Sequence, residues 1–171
     1  MTRGAIAALG IAAVGIVAGP ALPAMANGGR TVRAAGPVVA YSSVSPNPLA
    51  GVHATVQVVT TASGGTRVTL HLRGFANHQV GRTFGVHVHT GPCADGTSAG
   101  PHYTHPGPAP TLEEREIWLD FTVNTGGLGH AKASRDWLIE PGAAQSIVIH
   151  AEPTVPSGAA GTRLGCIGVA F

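Results

Sequence analysis

The sequence predicts an all-β domain, an antiparallel Greek-key β-barrel or sandwich of about seven or eight strands. Short stretches in which apolar and polar residues alternate recur along the chain, and segments rich in Gly and Pro separate them. No stretch keeps the helical apolar period over several turns. Alternation with frequent turns is typical of strands that each bury one face against a shared core.

The first 26 residues fit a secretory signal peptide. Arg3 supplies the positive start, Ala5 to Gly19 is an apolar run, and Ala24-Met25-Ala26 is a cleavage site of small residues. A transmembrane anchor is the alternative, but a span needs about 20 apolar residues, and this run is shorter and is interrupted by Gly and Pro. We therefore expect cleavage near Asn27 and a secreted, extracellular protein without a membrane span.

Length and charge limit the domain count and the partners. The chain has 171 residues, a formal charge of +2 and 11% charged residues, which argues against a polyanion-binding surface and against nucleic acid as a partner. Residues 27–36 contain little to bury, and we expect them to form a flexible leader. Residues 37–171 then form one β-barrel domain.

The strands follow one another in chain order. Residues 53–61 alternate with Ala54, Val56 and Val58 on one face, Ser63-Gly64-Gly65 predicts a turn, and residues 67–73 alternate in the same way, so the two strands form a hairpin. The remaining predicted strands are 38–43, 84–89, 117–123, 128–134, 146–150 and 164–171.

Histidines cluster in the segment 84–105. On a strand, His87 and His89 lie on one face, opposite the apolar side chains, and the turns that follow can return His102 over the same face. His150 ends the strand 146–150. Converging imidazoles bind copper, zinc, iron or nickel, and a ligand set of nitrogen atoms slightly favours Cu(II) or Zn. These residues alone do not choose the metal.

The other histidines have no such context. We expect His71 to be exposed on a polar strand face, and we interpret His53, His78 and His130 in the same way. The two cysteines, Cys93 and Cys166, are expected to form a disulfide, because an exported chain meets an oxidising environment.

Four segments occur along the chain in the same order as four motifs of a known family. They are an H-x-H strand in Gly85–His89, T-S-A-G-P-H in Thr97–His102, V-I-H in Val148–His150, and A-G-x-R-L-x-C in Ala160–Cys166. In these segments the sequence resembles the copper/zinc superoxide dismutases. The resemblance implies a Greek-key barrel and a copper centre that converts superoxide to dioxygen and hydrogen peroxide.

The resemblance also implies roles for individual residues. The copper ligands would be His87, His89, His102 and His150. In typical members the residue at the position of His102 also bridges to zinc. Arg163 matches an arginine beside the copper that attracts and orients superoxide. Cys93 and Cys166 match a disulfide that connects the active-site loop to the last strand.

The zinc site of typical members is incomplete in this sequence. They place two further histidines and an aspartate after the bridging histidine, whereas the segment from His102 to the strand at 117 offers only His105, Glu113, Glu114 and Glu116. A zinc held by His102, His105 and a carboxylate is conceivable, but a copper-only site is the interpretation we favour. The segment 151–162 is also short, with Glu152 as its one charged residue.

Three functions remain open at this point. The first is an exported copper-dependent superoxide dismutase with superoxide as its substrate. The second is a non-catalytic extracellular module that binds or delivers copper on the same fold. The third is an extracellular β-sandwich whose histidines bind no metal. Fold class does not distinguish among them.

Overall fold

Two four-stranded antiparallel sheets make up most of the computed structural model, which describes residue 1 and residues 29–171. The first sheet has the order β1 (Thr31–Pro37), β3 (His53–Thr60), β4 (Thr66–Arg73), β8 (Leu128–Arg135). The second has the order β2 (Val39–Ala40), β10 (Arg163–Gly168), β9 (Ser146–His150), β6 (Val86–His89).

Short elements complete the described chain. The strands β5 (Thr83–Phe84) and β7 (Phe121–Thr122) pair with each other, and the helical pieces are a 3₁₀ turn (Asn77–Gln79) and the helix α1 (Leu112–Arg115). The predicted all-β antiparallel fold is therefore confirmed. Within the described residues, no helix has both the length and the apolar character that a membrane crossing requires.

The predicted hairpin forms β3 and β4. Val56, Val68 and Leu70 are fully buried, and the intervening polar residues face outward, because successive side chains on a strand point to opposite faces. Gly64 turns the chain with a φ of 86°, a left-handed conformation that glycine adopts at little cost.

The hydrophobic core lies between the two sheets. The first sheet contributes Val56 and Leu70, and the second contributes Val86, Ile147 and Ile149, all with no exposed surface. Three Phe rings close one side of this core with centroid separations of 5.4 to 5.6 Å, namely Phe75, Phe84 and Phe121. A core of this kind stabilises both sheets at once and fixes which faces of β6 and β9 point outward.

The flexible leader predicted for residues 27–36 is wrong for the residues from Thr31 onward. They form β1, which pairs with β3 from Thr31 opposite Val59 to Pro37 opposite His53. Val32 and Ala34 are half-buried against the core, so two small apolar side chains and a full ladder of backbone hydrogen bonds order the segment. The signal peptide predicted for residues 1–26 stays a prediction, because residues 2–26 lie outside the described part.

The strand predicted for residues 117–123 forms over two residues only, in β7. Ile117 and Leu119 are buried as the alternation requires, but their segment makes only an isolated bridge between Trp118 and His87. One cause is Asp120, whose carboxylate accepts hydrogen bonds from the backbone N–H groups of Val86 and Thr154. A side chain therefore replaces part of the backbone ladder here.

Substituting Gly85, which separates β5 from β6, is expected to destabilise the fold. A Cβ at this position would lie 2.6 Å from Ala160 Cβ and 2.6 Å from the backbone oxygen of Glu152. We expect Gly85→Ala to lower the free energy of unfolding by about 2 kcal/mol, measured by urea denaturation, because the backbone must shift. The matched control is Gly96→Ala, where the nearest atom would be 3.5 Å away; it should change stability by less than about 0.5 kcal/mol. Equal effects of the two substitutions would contradict this account.

Candidate metal centre

Four histidines converge on one point at the outward face of the second sheet. One ring nitrogen from each of His87, His89, His102 and His150 lies within 4.8 Å of those of the other three. His87, His89 and His150 are buried, and the side chain of His102 retains 18% of its exposure. The structure thus brings together the four residues that the sequence singled out.

The strands explain this convergence. On β6, Val86 and Val88 point into the core, so His87 and His89 point out of the sheet on the other side. β9 is the neighbour of β6, and His150 at its end lies opposite Arg163 of β10. The loop after β6 then returns, and His102 forms a bridge to His89.

Backbone carbonyls orient two of the imidazoles. His89 Nδ1 lies 3.0 Å from the oxygen of Gly100, and His150 Nδ1 lies 3.3 Å from the oxygen of Gly161. A carbonyl only accepts, so both Nδ1 atoms donate, and in the neutral rings both Nε2 atoms carry free lone pairs. These two Nε2 atoms are 3.4 Å apart. Two facing lone pairs repel each other unless a cation or a proton lies between them.

A hydroxyl and a carboxylate orient His87. Its Nε2 lies 2.7 Å from Thr154 Oγ1, and that hydroxyl lies 2.7 Å from Asp120 Oδ1. The carboxylate can only accept, so the Thr154 hydroxyl donates to Asp120 and accepts the proton of His87 Nε2. His87 Nδ1 is then an unprotonated acceptor, and it is buried with no hydrogen-bond partner among the described residues. An orphaned lone pair that points at three other imidazole rings fits a metal ligand.

Glu116 orients the fourth ring. His102 Nδ1 lies 2.9 Å from Glu116 Oε2, and the same buried carboxylate accepts hydrogen bonds from Trp118 Nε1 at 2.8 Å and Thr104 Oγ1 at 3.0 Å. Burial raises the pKa of Glu116, but the hydrogen bonds from His102, Trp118 and Thr104 outweigh it and leave the pKa below its usual value. The carboxylate stays charged and keeps a proton on Nδ1 of His102, so Nε2 is the nitrogen that faces the centre.

His105 lies outside the group of four. Its ring stacks on Trp137 at a centroid separation of 4.7 Å, and its Nδ1 accepts the N–H of Gly107. Among residues 29–171, the four histidines are the only group of three or more potential ligands that converges. The structure therefore does not assemble the zinc pairing of His102 with His105, because aromatic stacking turns His105 to another surface. Glu116, and not His105, contacts Nδ1 of His102.

Burial keeps three imidazoles of the centre neutral, those of His87, His89 and His150. It lowers the pKa of His87 to about 2, with further contributions from the charges of His102, His150 and His89. It also lowers the pKa of His89 to about 3 and that of His150 to about 4. At neutral pH these rings carry lone pairs rather than protons, which is the form that binds a metal.

Arg163 contacts the loop that covers the centre. Its guanidinium donates to the backbone oxygens of Gly96 at 2.8 Å and Gly100 at 2.7 Å. The oxygen of Gly100 is also the acceptor for His89, so Arg163 and His89 share one carbonyl. The charge of Arg163 helps to lower the pKa values of His89 and His150, which places it within electrostatic range of the cluster.

The expected disulfide between Cys93 and Cys166 is confirmed. The two Cα atoms are 5.5 Å apart, and the bridge closes a loop between residues 73 positions apart in sequence. It ties the loop that carries Gly96 and Gly100 to β10, the strand that carries Arg163. On the chain-entropy estimate, a loop of this length stabilises the fold by ~4 kcal/mol.

No known protein family and no curated protein sequence matches this chain. Solved structures do. The clock protein EA4 matches with a TM-score of 0.54 and 14% identity over 82% of this chain and 92% of that one. The chain shares its fold. Superoxide dismutase 5 of Candida albicans is also among the structural neighbours: its copper(II) form has a TM-score of 0.47 and 18% identity over 81% of this chain and 90% of that one. A point mutant of the same dismutase has a TM-score of 0.49 and 17% identity over 82% of this chain and 91% of that one.

Sequence reasoning missed the residues that orient the rings. The sequence pattern offers Glu116 only as a possible zinc ligand and places Asp120 within a strand. A carboxylate two residues before an indole gave a weak signal for the contact between Glu116 and Trp118, whereas Thr154 lies 67 positions from His87 and gave none. Such contacts depend on the packing of distant segments.

Acid is expected to destabilise the metal-free protein. In the unfolded chain a histidine has a pKa of about 6.5, whereas burial lowers that of His150 to about 4 and those of His87 and His89 further. Below about pH 6.5 the unfolded chain binds more protons than the folded one. As the pH is lowered below this value, the free energy of unfolding therefore decreases, by up to about 1.4 kcal/mol per pH unit for each histidine. Above about pH 6.5 these histidines no longer make the free energy of unfolding depend on pH.

Urea denaturation of chelator-treated protein at several pH values measures this slope. The variant His150→Gln should give a shallower dependence, and His78→Gln, which alters an exposed histidine, should leave the dependence unchanged. A slope that is identical in all three proteins would show that the cluster does not control acid stability.

Proposed function

We propose that the protein is an extracellular copper-dependent superoxide dismutase that works without zinc. The proposal rests on one observation above all: four imidazoles converge, and the protein itself occupies the outer nitrogen of each ring, so that the other nitrogen is free. A ligand set of four imidazole nitrogens suits copper. The fold shared with EA4 and the four sequence motifs support the same conclusion.

Bound copper would supply reversible one-electron chemistry, by which one superoxide is oxidised to dioxygen and a second is reduced and takes up two protons from the solvent to give hydrogen peroxide. His87, His89, His102 and His150 would hold the metal. The protein excludes bulk water from three of these rings, which are buried. His102 is the partly exposed member, so a small substrate would approach on its side.

Arg163 is the cation in position to attract the anionic substrate. The segment 151–162 has only the acidic Glu152 as a charged residue, so this segment adds no positive charge to steer superoxide. Glu116 would substitute for the second metal of typical dismutases. It fixes the proton on Nδ1 of His102 and so presents Nε2 to the copper.

A non-catalytic copper-binding or copper-delivery module is the second candidate. The observation that favours it is the guanidinium of Arg163, which already donates to the carbonyls of Gly96 and Gly100. An arginine that holds the loop in place is less free to bind substrate. Copper binding without superoxide removal would identify this second function.

Removing one ligand is expected to remove both copper and activity. For His89→Ala and His150→Ala, each loaded with copper, we expect superoxide removal to fall at least about 100-fold and bound copper to fall below one per chain, because three imidazoles hold the metal less tightly. Inhibition of cytochrome c reduction and elemental analysis measure the two quantities. His53→Ala, on the opposite sheet, is the control and should retain both. Activity that survives both ligand substitutions would exclude the proposal.

The contact that Thr154 makes with His87 gives a second test. Thr154→Val keeps the shape of the side chain but removes the acceptor for His87 Nε2, so the ring can present either nitrogen to the centre. We expect copper affinity to fall about 10- to 100-fold in competition with a chelator. Thr154→Ser restores a hydroxyl and should restore affinity. If the Val and Ser variants bind copper equally well, the hydroxyl does not orient the ligand.

A further inference from the structure

The outward face of the first sheet is positively charged and contains no acidic residue. Strand alternation leaves every second residue of β1, β3, β4 and β8 facing away from the core. None of these outward positions holds Asp or Glu. Those that carry or can gain positive charge, here called the basic face, are Arg33, Arg67, Arg73, Lys132, His53, His71 and His130.

The strand register spreads these charges over two dimensions. Arg33 on the edge strand β1 lies in the same cross-strand row as Lys132 on the opposite edge strand β8, with Gln57 and Thr69 between them. Arg67 lies in the next outward row on one side, and Arg73 lies two outward rows away on the other side, beyond the row of His71 and His130. Four strands span ~14 Å across and each row is ~7 Å from the next. The cations therefore cover a broad surface rather than a single line.

The acidic residues are all located elsewhere. The first in the chain is Asp95, and each of the eight follows β6 in sequence. The acidic residue nearest to these strands in sequence, Asp136, comes directly after the last residue of β8. The whole chain has a small net charge because the cations on the outward face of the first sheet are balanced by acidic residues located elsewhere.

A metal cation is a poor fit for this face. The rings of His71 and His130 are close, with centroids 4.5 Å apart, and could in principle share an ion. Arg73 is two residues from His71, however, and Lys132 is two residues from His130, on the same outward face. Fixed positive charges repel a divalent cation and attract an anion. The histidines belong with the arginines, as part of a surface for anions.

We propose that the basic face docks the protein on an anionic phospholipid bilayer. A bilayer presents negative headgroups over a plane, which matches Lys and Arg side chains that are spread over three of the four strands more closely than a single linear polymer does. The contact is electrostatic and without deep insertion, because Leu128 at one corner is the one large exposed apolar side chain among the outward positions. The four histidines of the metal centre lie on the outer side of the other sheet, so docking leaves them facing away from the bilayer.

Vesicle sedimentation tests this proposal with residues 27–171, the form expected after signal cleavage, which retains both sheets and the disulfide. Phosphatidylcholine vesicles with about 30% phosphatidylglycerol should bind the protein in about 50 mM salt, and vesicles of phosphatidylcholine alone should not. Raising the salt to about 500 mM should release it. Each Lys or Arg near an anionic surface strengthens binding about fivefold. The double variant Arg67→Gln with Lys132→Gln should therefore bind about 30-fold more weakly.

The control is a second double variant that has the same net charge as Arg67→Gln with Lys132→Gln. Ser43→Glu with Ser157→Glu changes the charge by the same amount at exposed loop positions that flank strands of the second sheet. It should bind within about threefold of the wild type, because only charge on the face contacts the bilayer. Circular dichroism and urea denaturation check that both double variants are folded.

Three results would overturn the proposal. The first is equal binding to vesicles with and without phosphatidylglycerol. The second is equal weakening by the two double variants, which would indicate a response to net charge rather than to this face. The third is binding to a soluble polyanion such as heparin or polyphosphate with none to the anionic vesicles, which would assign the face to a polymer.

Discussion

The metal centre depends on hydrogen bonds that occupy the outer nitrogen of each histidine. Carbonyls of Gly100 and Gly161 take the Nδ1 protons of His89 and His150, and Glu116 takes that of His102. Thr154 takes the Nε2 proton of His87. Without these acceptors each ring could present either nitrogen, and burial of the unpaired imidazoles of His87, His89 and His150 would only cost free energy. The disulfide and Arg163 hold the loop that carries one of these acceptors, the carbonyl of Gly100.

The sequence predicted the positions of the strands better than it predicted the side-chain contacts between distant segments. Alternation located β3, β4 and β9 to within about a residue, and motif spacing identified the four histidines that converge. β1 was missed because its order depends on pairing with β3 rather than on its own apolar residues. Glu116, Asp120 and Thr154 were missed as orienting residues because their roles arise from contacts between distant segments.

Composition also concealed the surface charge. A formal charge of +2 argues against a polyanion-binding surface when it is averaged over the chain. Folding places Arg33, Arg67, Arg73 and Lys132 on one sheet face and the acidic residues elsewhere, so the average charge describes neither surface. A two-layer sandwich has two outer faces that point in opposite directions, and here one carries the histidine cluster and the other the basic face. The fold can therefore separate attachment from chemistry.

Metal content and superoxide removal, measured on one sample exposed to both copper and zinc, test the central claim most directly. We predict about one copper per chain, no zinc above background, and rapid superoxide removal, because the carboxylate of Glu116 already accepts the hydrogen bond of His102 Nδ1. A protein that binds zinc in equal amount and needs it for activity would contradict the account, and so would copper-loaded protein that leaves superoxide untouched.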